Sequence, residues 1–285
     1  NSSLVEFTNS NANTLHQILE WDAFNDIKIN TSAAWARPSN DVPITCNNLH
    51  IQNGRLKLAG YNIYVENEMY IEGILEMSNV NDSLFVKDII WEDGSGTTIS
   101  SGEIFVSGNW QTNSGANPHL GSGNTVYFTG EDNSTIICDE PTASFGAVSI
   151  DKTDTNDVVS VVMNDNFNAD TIDVNTGILS LSEGCSLEIG TELNVNTDGH
   201  VLFTGTDANN ITVTNDSGYY EFSVNSGGII EADYTTFSKM NTDGINIKSG
   251  STIYSLDNCS FQNGEATGTL LTVDNSQIIT IDGAE

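Results

Sequence analysis

Leu179-Ser180-Leu181, Leu187-Glu188-Ile189, Leu193-Asn194-Val195 and Val201-Leu202-Phe203 follow one another in one short stretch of the chain. Each has an apolar residue on either side of a central one, and Gly, Asn or Asp breaks the run before the next begins. Period-2 alternation over so few residues specifies a short strand with one buried face. The same form runs outward in both directions. It recurs at Leu56-Lys57-Leu58, Ile63-Tyr64-Val65, Ile104-Phe105-Val106, Val126-Tyr127-Phe128 and Ile211-Thr212-Val213. A longer period lies on top of it. Leu56, Met77 and Ile99 are 21 and 22 residues apart, and Leu179, Val201, Phe222, Ile245 and Thr269 are 22, 21, 23 and 24 apart. Strands this short, repeating every 20-odd residues, predict a backbone that closes one coil per repeat and stacks the coils. The fold class expected is all-β: a right-handed parallel β-helix, a solenoid with about three short strands per 21–24-residue coil. A string of β-sandwiches would need longer strands.

Composition agrees. The 285 residues are 38% hydrophobic, enough for a continuous core, and the polar remainder is dominated by Asn, Ser and Thr, which are poor helix formers. Residues 1–43 read differently, as an N-terminal cap or irregular segment preceding a β-helix over 44–285. Within them Leu15, Ile18 and Leu19 have helical spacing after Asn13 and Thr14, which predicts one short helix, and Trp21 and Trp35 are candidates to close the end of the core. The ends at Asn1 and Glu285 fall mid-pattern, as expected of a segment of something longer.

Charge excludes partners. Eight Lys and Arg against 39 Asp and Glu give a net charge of −31. Such a surface repels phosphates, so no nucleic acid is expected, and anionic membranes are equally poor partners. No apolar run is long enough for membrane insertion. Few basic residues also count against an enzyme of acidic polysaccharides, which must hold substrate carboxylates. Cys46, Cys138, Cys185 and Cys259 are too scattered for a disulfide framework and are expected to be small buried hydrophobes at one inward corner of different coils.

A resemblance rests on particular stretches. Gly108-Asn109-Trp110-Gln111-Thr112-Asn113-Ser114-Gly115, Gly123-Asn124-Thr125-Val126-Tyr127-Phe128-Thr129-Gly130 and Phe145-Gly146-Ala147-Val148-Ser149-Ile150-Asp151-Lys152 resemble a repeat of large surface proteins of Bacteroidetes and related bacteria. Asn175–Leu181, Gly199–Gly205 and Gly227–Ala232 resemble the same group. The resemblance spans residues 44–285. It implies a right-handed parallel β-helix at the bacterial cell surface or outside the cell. It also implies that Ser83 in Asp82-Ser83-Leu84 and Thr171 in Asp170-Thr171-Ile172 are candidate O-glycan acceptors.

Few residues suggest chemistry. Asn-Thr-Asp-Gly occurs at Asn196–Gly199 and Asn241–Gly244 and resembles one signature of pectin-hydrolysing polygalacturonases, themselves β-helices. That family's Asp-Asp, Gly-His-Gly and Arg-Ile-Lys elements are missing after Asp243, although Glu265 stands 22 residues on, one coil's length. Two carboxyl groups at the right separation are what glycoside hydrolysis needs. The alternative is turn chemistry, since Asn and Asp tolerate left-handed backbone. Asp151, Asp154, Asp157, Asp165, Asp170 and Asp173 gather hard oxygen donors at turns, and Asp151, Asp154, Asp157, Asp170 and Asp173 are the candidate Ca²⁺ ligands, with no other cofactor expected. Trp91, Trp110, Tyr61, Tyr64, Tyr70, Tyr219 and Tyr220 are candidates for a sugar-stacking platform. His16, His50, His119 and His200 stand far apart beside no nucleophile motif. The leading expectation is a non-enzymatic structural or adhesive segment, a rigid rod or filament-forming scaffold. Its partners would be further copies of itself, end to end or lateral, or surface glycans and proteins. The alternatives are a polysaccharide-degrading β-helix enzyme and a carbohydrate-binding module.

Overall fold

A computed structural model describes residues 4–9, 15–18, 24–38, 43–139, 144–162 and 165–276. The chain is a parallel β-solenoid of about 11 turns with coils of ~22 residues. No helix occurs among the described residues. Contacts divide the chain into two compact units, Asn1–Tyr127 with Cys138–Gly146, and Phe128–Ile137 with Ala147–Glu285.

In the first unit the register can be followed from coil to coil. Leu4 pairs with Asp26, Asp26 with Asn48, Asn48 with Glu68, and Glu68 with Asp88, always in parallel. Coil-type pairing therefore starts before residue 43. Leu15–Ile18, which carries helical spacing, is a strand paired in parallel with Trp35–Pro38. Two apolar turns of helix could not hydrogen-bond to a neighbouring coil, whereas an extended segment satisfies its backbone on the strand beside it. Tertiary pairing overrides the local period here. Trp21 and the side chain of Trp35 lie outside the described residues.

In the second unit Val159, Leu179, Val201, Ile230 and Ile253 form one column. Phe222 and Ile245 belong to a different column, which starts from Ile172 and Leu193. The 21-residue step from Val201 to Phe222 thus joins two columns, and the true step from Val201 to Ile230 is 29 residues. Extra turn residues at 205–210 and around Asn215–Gly218 lengthen that coil, and the Asn215 side chain stitches the second turn down. Its amide donates to the carbonyls of Ile189 and Gly190, and its Oδ1 accepts from the backbone of Ser217 and Gly218.

The triads read from the sequence face as expected. In Gly102–Val106 and Asn124–Phe128 burial alternates residue by residue, and Ile104, Val106, Val126 and Phe128 are fully buried. Each such side chain contributes roughly 1.5–3 kcal/mol by leaving water. Turns are held by short polar contacts. Asp82 is buried beneath one of them and accepts from the backbone N–H groups of Gly60, Ser78 and Asn79. Gly102 sits against it with φ of 94°, where a Cβ would lie 2.6 Å from the Asp82 carbonyl oxygen. Only glycine fits.

Shortening a core side chain is expected to cost the transfer energy and leave a cavity. Ile104→Ala should lower unfolding free energy by about 3 kcal/mol, read from the urea midpoint, while Thr98→Ala at an exposed outer position of Gly96–Ile99 should change it by less than about 0.5 kcal/mol.

Candidate functional site

The coil stacking places residues of equal position side by side, and the outer face is built of such rows. A polar row of five side chains runs through the second unit. Asn175 donates to Asp151 Oδ1 at 3.1 Å, Asn196 to Asn175 Oδ1 at 2.7 Å, and Asn225 to Asn196 Oδ1 at 2.7 Å; Lys248 Nζ then donates to Asn225 Oδ1 at 2.8 Å. The amides all point the same way. A carboxylate only accepts and an ammonium only donates, so these two ends fix the orientation of every amide between them. The first unit repeats the device. Asn48 donates to Asp26 at 2.7 Å and Asn67 to Asn48 at 2.9 Å; Asn30 donates to Glu6 at 3.1 Å and Asn53 to Asn30 at 3.0 Å.

These rows absorb most of the residues that suggested chemistry. Asp151 takes Asn175 and the Ser149 hydroxyl, the latter at 2.6 Å. Asp173 takes Asn194 at 3.1 Å. Asp157 accepts from the backbone of Asp154 at 3.2 Å, and Asp154 takes both the backbone and the side chain of Asn156. Those two bonds, backbone first, pull the Asp154 carboxyl below its usual range. Asp170 is exposed, and its carbonyl receives the Thr191 hydroxyl. Among the described residues no group of three or more His, Cys, Asp or Glu is placed to hold a metal ion.

The two Asn-Thr-Asp-Gly copies do different things. In the first, Asn196 is a rung of the amide row, Asp198 has φ of 70°, and the Gly199 N–H returns to the Asn196 carbonyl at 3.0 Å. In the second, Asn241 Oδ1 caps the Asp243 N–H at 3.0 Å. Asp243 lies beside Thr269 and Thr272, whose hydroxyls donate to its carbonyl, whereas the Glu265 backbone binds Met240. Turn geometry accounts for both motifs.

The aromatic candidates separate. Trp91, Trp110 and Tyr220 are fully buried and belong to the core. Tyr70 is half-buried; burial, and then a hydrogen bond to Glu92, push its hydroxyl up to about 12. Tyr219 is 46% exposed, next to the buried Tyr220. Trp91 and Trp110 pack inside with Phe145, and Tyr64 joins an aromatic row on the outer face, with three partners that sequence reasoning missed. Tyr64, Phe85, Phe105 and Tyr127 stack at centroid separations of 4.5, 4.6 and 4.8 Å, with rings within 9° of parallel. All four are half-buried on the outer face, between buried neighbours such as Ile63 and Val65 or Leu84 and Val86. The signal was present: each is the central residue of an apolar triad, one coil apart. Because the rings lie face to face, the inner rings present only edges to solvent, and a sugar ring needs a face. The row is therefore not the expected stacking platform.

Other sites are accounted for by the fold. His50 Nε2 meets Glu72 Oε2 at 2.7 Å, and His119 meets the Ser144 hydroxyl at 3.2 Å. The side chain of His16 lies outside the described residues. His200 is depressed below its usual pKa by burial, with Glu231 at 3.6 Å. Lys152 is buried and donates to the carbonyls of Thr129 and Asp132 and to Ser134 Oγ, all within 2.8 Å; burial lowers its pKa, and the charges of Asp157 and Asp132 oppose that shift. The four cysteines are buried and form no disulfide with one another. Cys185 and Cys259 precede Ser186 and Ser260, which share a column through Thr212 and Thr236, whereas Cys46 pairs with Val65 inside a strand. One shared corner for all four is thus not what forms. Ser83 points outward beside the aromatic row, and Thr171 pairs with Glu192. Comparison with protein-family models, characterised proteins and solved structures returns no match.

Two outcomes follow for these groups. Asn196→Asp removes the donor facing Asn175 and should destabilise the protein by about 1–3 kcal/mol at pH 7. The loss should shrink below about pH 4, where the new carboxyl gains a proton; parallel urea titrations of both proteins measure it. Burial pushes the Cys46 thiol up to about 12 and the Cys259 thiol up to about 11 from 9.0. Thiols that titrate higher when folded favour the fold fully below pH 9.0, and that contribution is lost as pH rises toward 12. Native protein at pH 8 should accordingly leave a thiol-reactive chromophore unreacted until it is unfolded.

Proposed function

We propose that this chain is a non-enzymatic structural or adhesive segment of a bacterial cell-surface or extracellular protein. One observation carries the reading: of the side chains that resembled catalytic or metal-binding groups, Asp151, Asp154, Asp157, Asp173 and Asn196 are engaged in coil-to-coil and turn hydrogen bonds. A group committed to holding adjacent coils together is poorly placed to move a proton or exchange a ligand. The fold supports the same role, because a solenoid extends by adding coils, each bringing its own ladder bonds and core. The sequence resemblance supports the location. On this reading the partners are further copies of the chain, joined end to end or laterally, or glycans and proteins of a surface.

The test is turnover. Purified protein incubated with a panel of neutral and acidic polysaccharides should release no reducing ends, and Asp243→Asn should behave as the parent does. Release of sugar that Asp243→Asn abolishes would overturn the proposal in favour of a polysaccharide-degrading enzyme.

A further inference from the structure

The chain contains two Asn-Gly pairs, Asn53-Gly54 and Asn263-Gly264. This dipeptide carries a chemistry of its own. The backbone nitrogen that follows an asparagine can attack the side-chain amide carbon, and glycine, with no side chain, hinders that approach least. The structure treats the two pairs in opposite ways.

Asn53 is clamped. Its amide donates to Asn30 Oδ1 at 3.0 Å, and the Asn30 amide donates to Glu6 at 3.1 Å. It lies within the strand Ile44–Lys57 and pairs there with Asn30. The next coil rests on its glycine, since a Cβ at Gly73 would lie 2.8 Å from the Gly54 carbonyl oxygen. Neither the side chain nor the peptide can turn without giving up contacts to a neighbouring coil. Asn263 is exposed, and it opens the irregular segment 263–270 between Ser260–Gln262 and Leu271–Val273. Among the described residues neither its side chain nor the Gly264 N–H has a hydrogen-bond partner. Its φ of 54° is left-handed backbone, which costs energy for a residue bearing a Cβ. Leaving that conformation is resisted less than leaving a ladder.

We propose that Asn263 is a site of spontaneous deamidation in the folded protein, and that coil stacking protects Asn53 from the same reaction. The Gly264 nitrogen gives up its proton and bonds to Asn263 Cγ, closing a succinimide ring. The Cγ–Nδ2 bond breaks, and the departing nitrogen takes a proton and leaves as ammonia. Water then opens the ring. Cleavage between the ring nitrogen and Cγ gives aspartate. Cleavage between that nitrogen and the backbone carbonyl carbon gives isoaspartate, whose main chain runs through Cβ and Cγ and is longer by an atom. The position makes that atom matter. On one side of Asn263 the Gln262 carbonyl accepts from the Lys239 N–H at 3.3 Å, and on the other the Glu265 N–H donates to the Met240 carbonyl at 2.9 Å. Isoaspartate lengthens the chain between these two attachments to the preceding coil, and either product adds a carboxylate to a protein of net charge −31.

The test is to age the purified protein in warm, mildly alkaline buffer, folded and in urea. Digestion with pepsin in acid, which adds no deamidation, then allows peptide mapping by mass spectrometry. In the folded protein Asn263 should become a mixture of aspartate and isoaspartate, the latter labelled by an isoaspartyl methyltransferase, at a rate at least about tenfold above that of Asn53. In urea the two should convert at similar rates. Gly264→Ala, whose Cβ would meet the movable end of the Leu270 side chain at 2.7 Å, should slow conversion at Asn263 by about tenfold. An Asn263 that stays intact in the folded protein overturns the proposal. So does an Asn53 that converts as fast as Asn263 there, or conversion at Asn263 that Gly264→Ala does not slow.

Discussion

The backbone hydrogen bond between one coil and the next is the constraint from which the rest follows. Parallel pairing holds neighbouring strands about 4.8 Å apart and sets each residue beside its counterpart one coil on. A side chain must therefore be compatible with whatever occupies the same position above and below it. Aliphatics meet this inside, as Val159, Leu179, Val201, Ile230 and Ile253 do. Flat rings meet it outside by stacking. Carboxylates cannot repeat without repelling one another, and the chain carries 39 of them. Amides separate several of them: Asp26 is followed by Asn48, Asp173 by Asn194, and Glu92 by Asn113, each bonded to the acid, whereas Glu68 and Asp88, Glu192 and Glu221, and Asp233 and Asp257 stand side by side. Asn is abundant here for a reason that goes beyond turns, since it both accepts and donates and so continues a row that an acid begins.

This accounts for how much could be read from the residues alone. Ile63-Tyr64-Val65 or Leu179-Ser180-Leu181 specifies a short half-buried strand without reference to anything else, and a 20-odd-residue repeat of such strands leaves few folds available. What depended on knowing the partner coil was less legible. Leu15 and Ile18 have helical spacing, but Trp35–Pro38 beside them offers a ladder, and the ladder wins. Phe222 fell at the expected distance from Val201 because the turn residues at 205–210 and Asn215–Gly218 together lengthen one coil by about the span between two columns. Asp151, Asn175, Asn196, Asn225 and Lys248 are unremarkable one at a time, and their head-to-tail order exists only once the register is fixed.

The same register decides the candidate sites. The acidic residues read as a Ca²⁺ cluster are near one another along the chain, but Asp151 and Asp173 are bonded to amides of the next coil, and Asp154 and Asp157 to groups of their own turn. The aromatic residues read as a platform were chosen by type, and half of the question was orientation: Trp91 and Trp110 face in, Tyr64 faces out, and its true neighbours Phe85, Phe105 and Tyr127 were visible only as the centres of triads. A surface made of rows offers lines of like groups, which suits the scaffold reading.

Paired spin labels on the outer face measure the parallel register directly. Ser180 pairs with Leu202 and Ser182 with Thr204. In a parallel arrangement both pairs sit one strand spacing apart, about 5 Å between backbones, so labels at 180 with 202 and at 182 with 204 should both show strong dipolar broadening. Broadening in one pair and not the other, as an antiparallel hairpin would give, or in neither, would contradict the stacked-coil account.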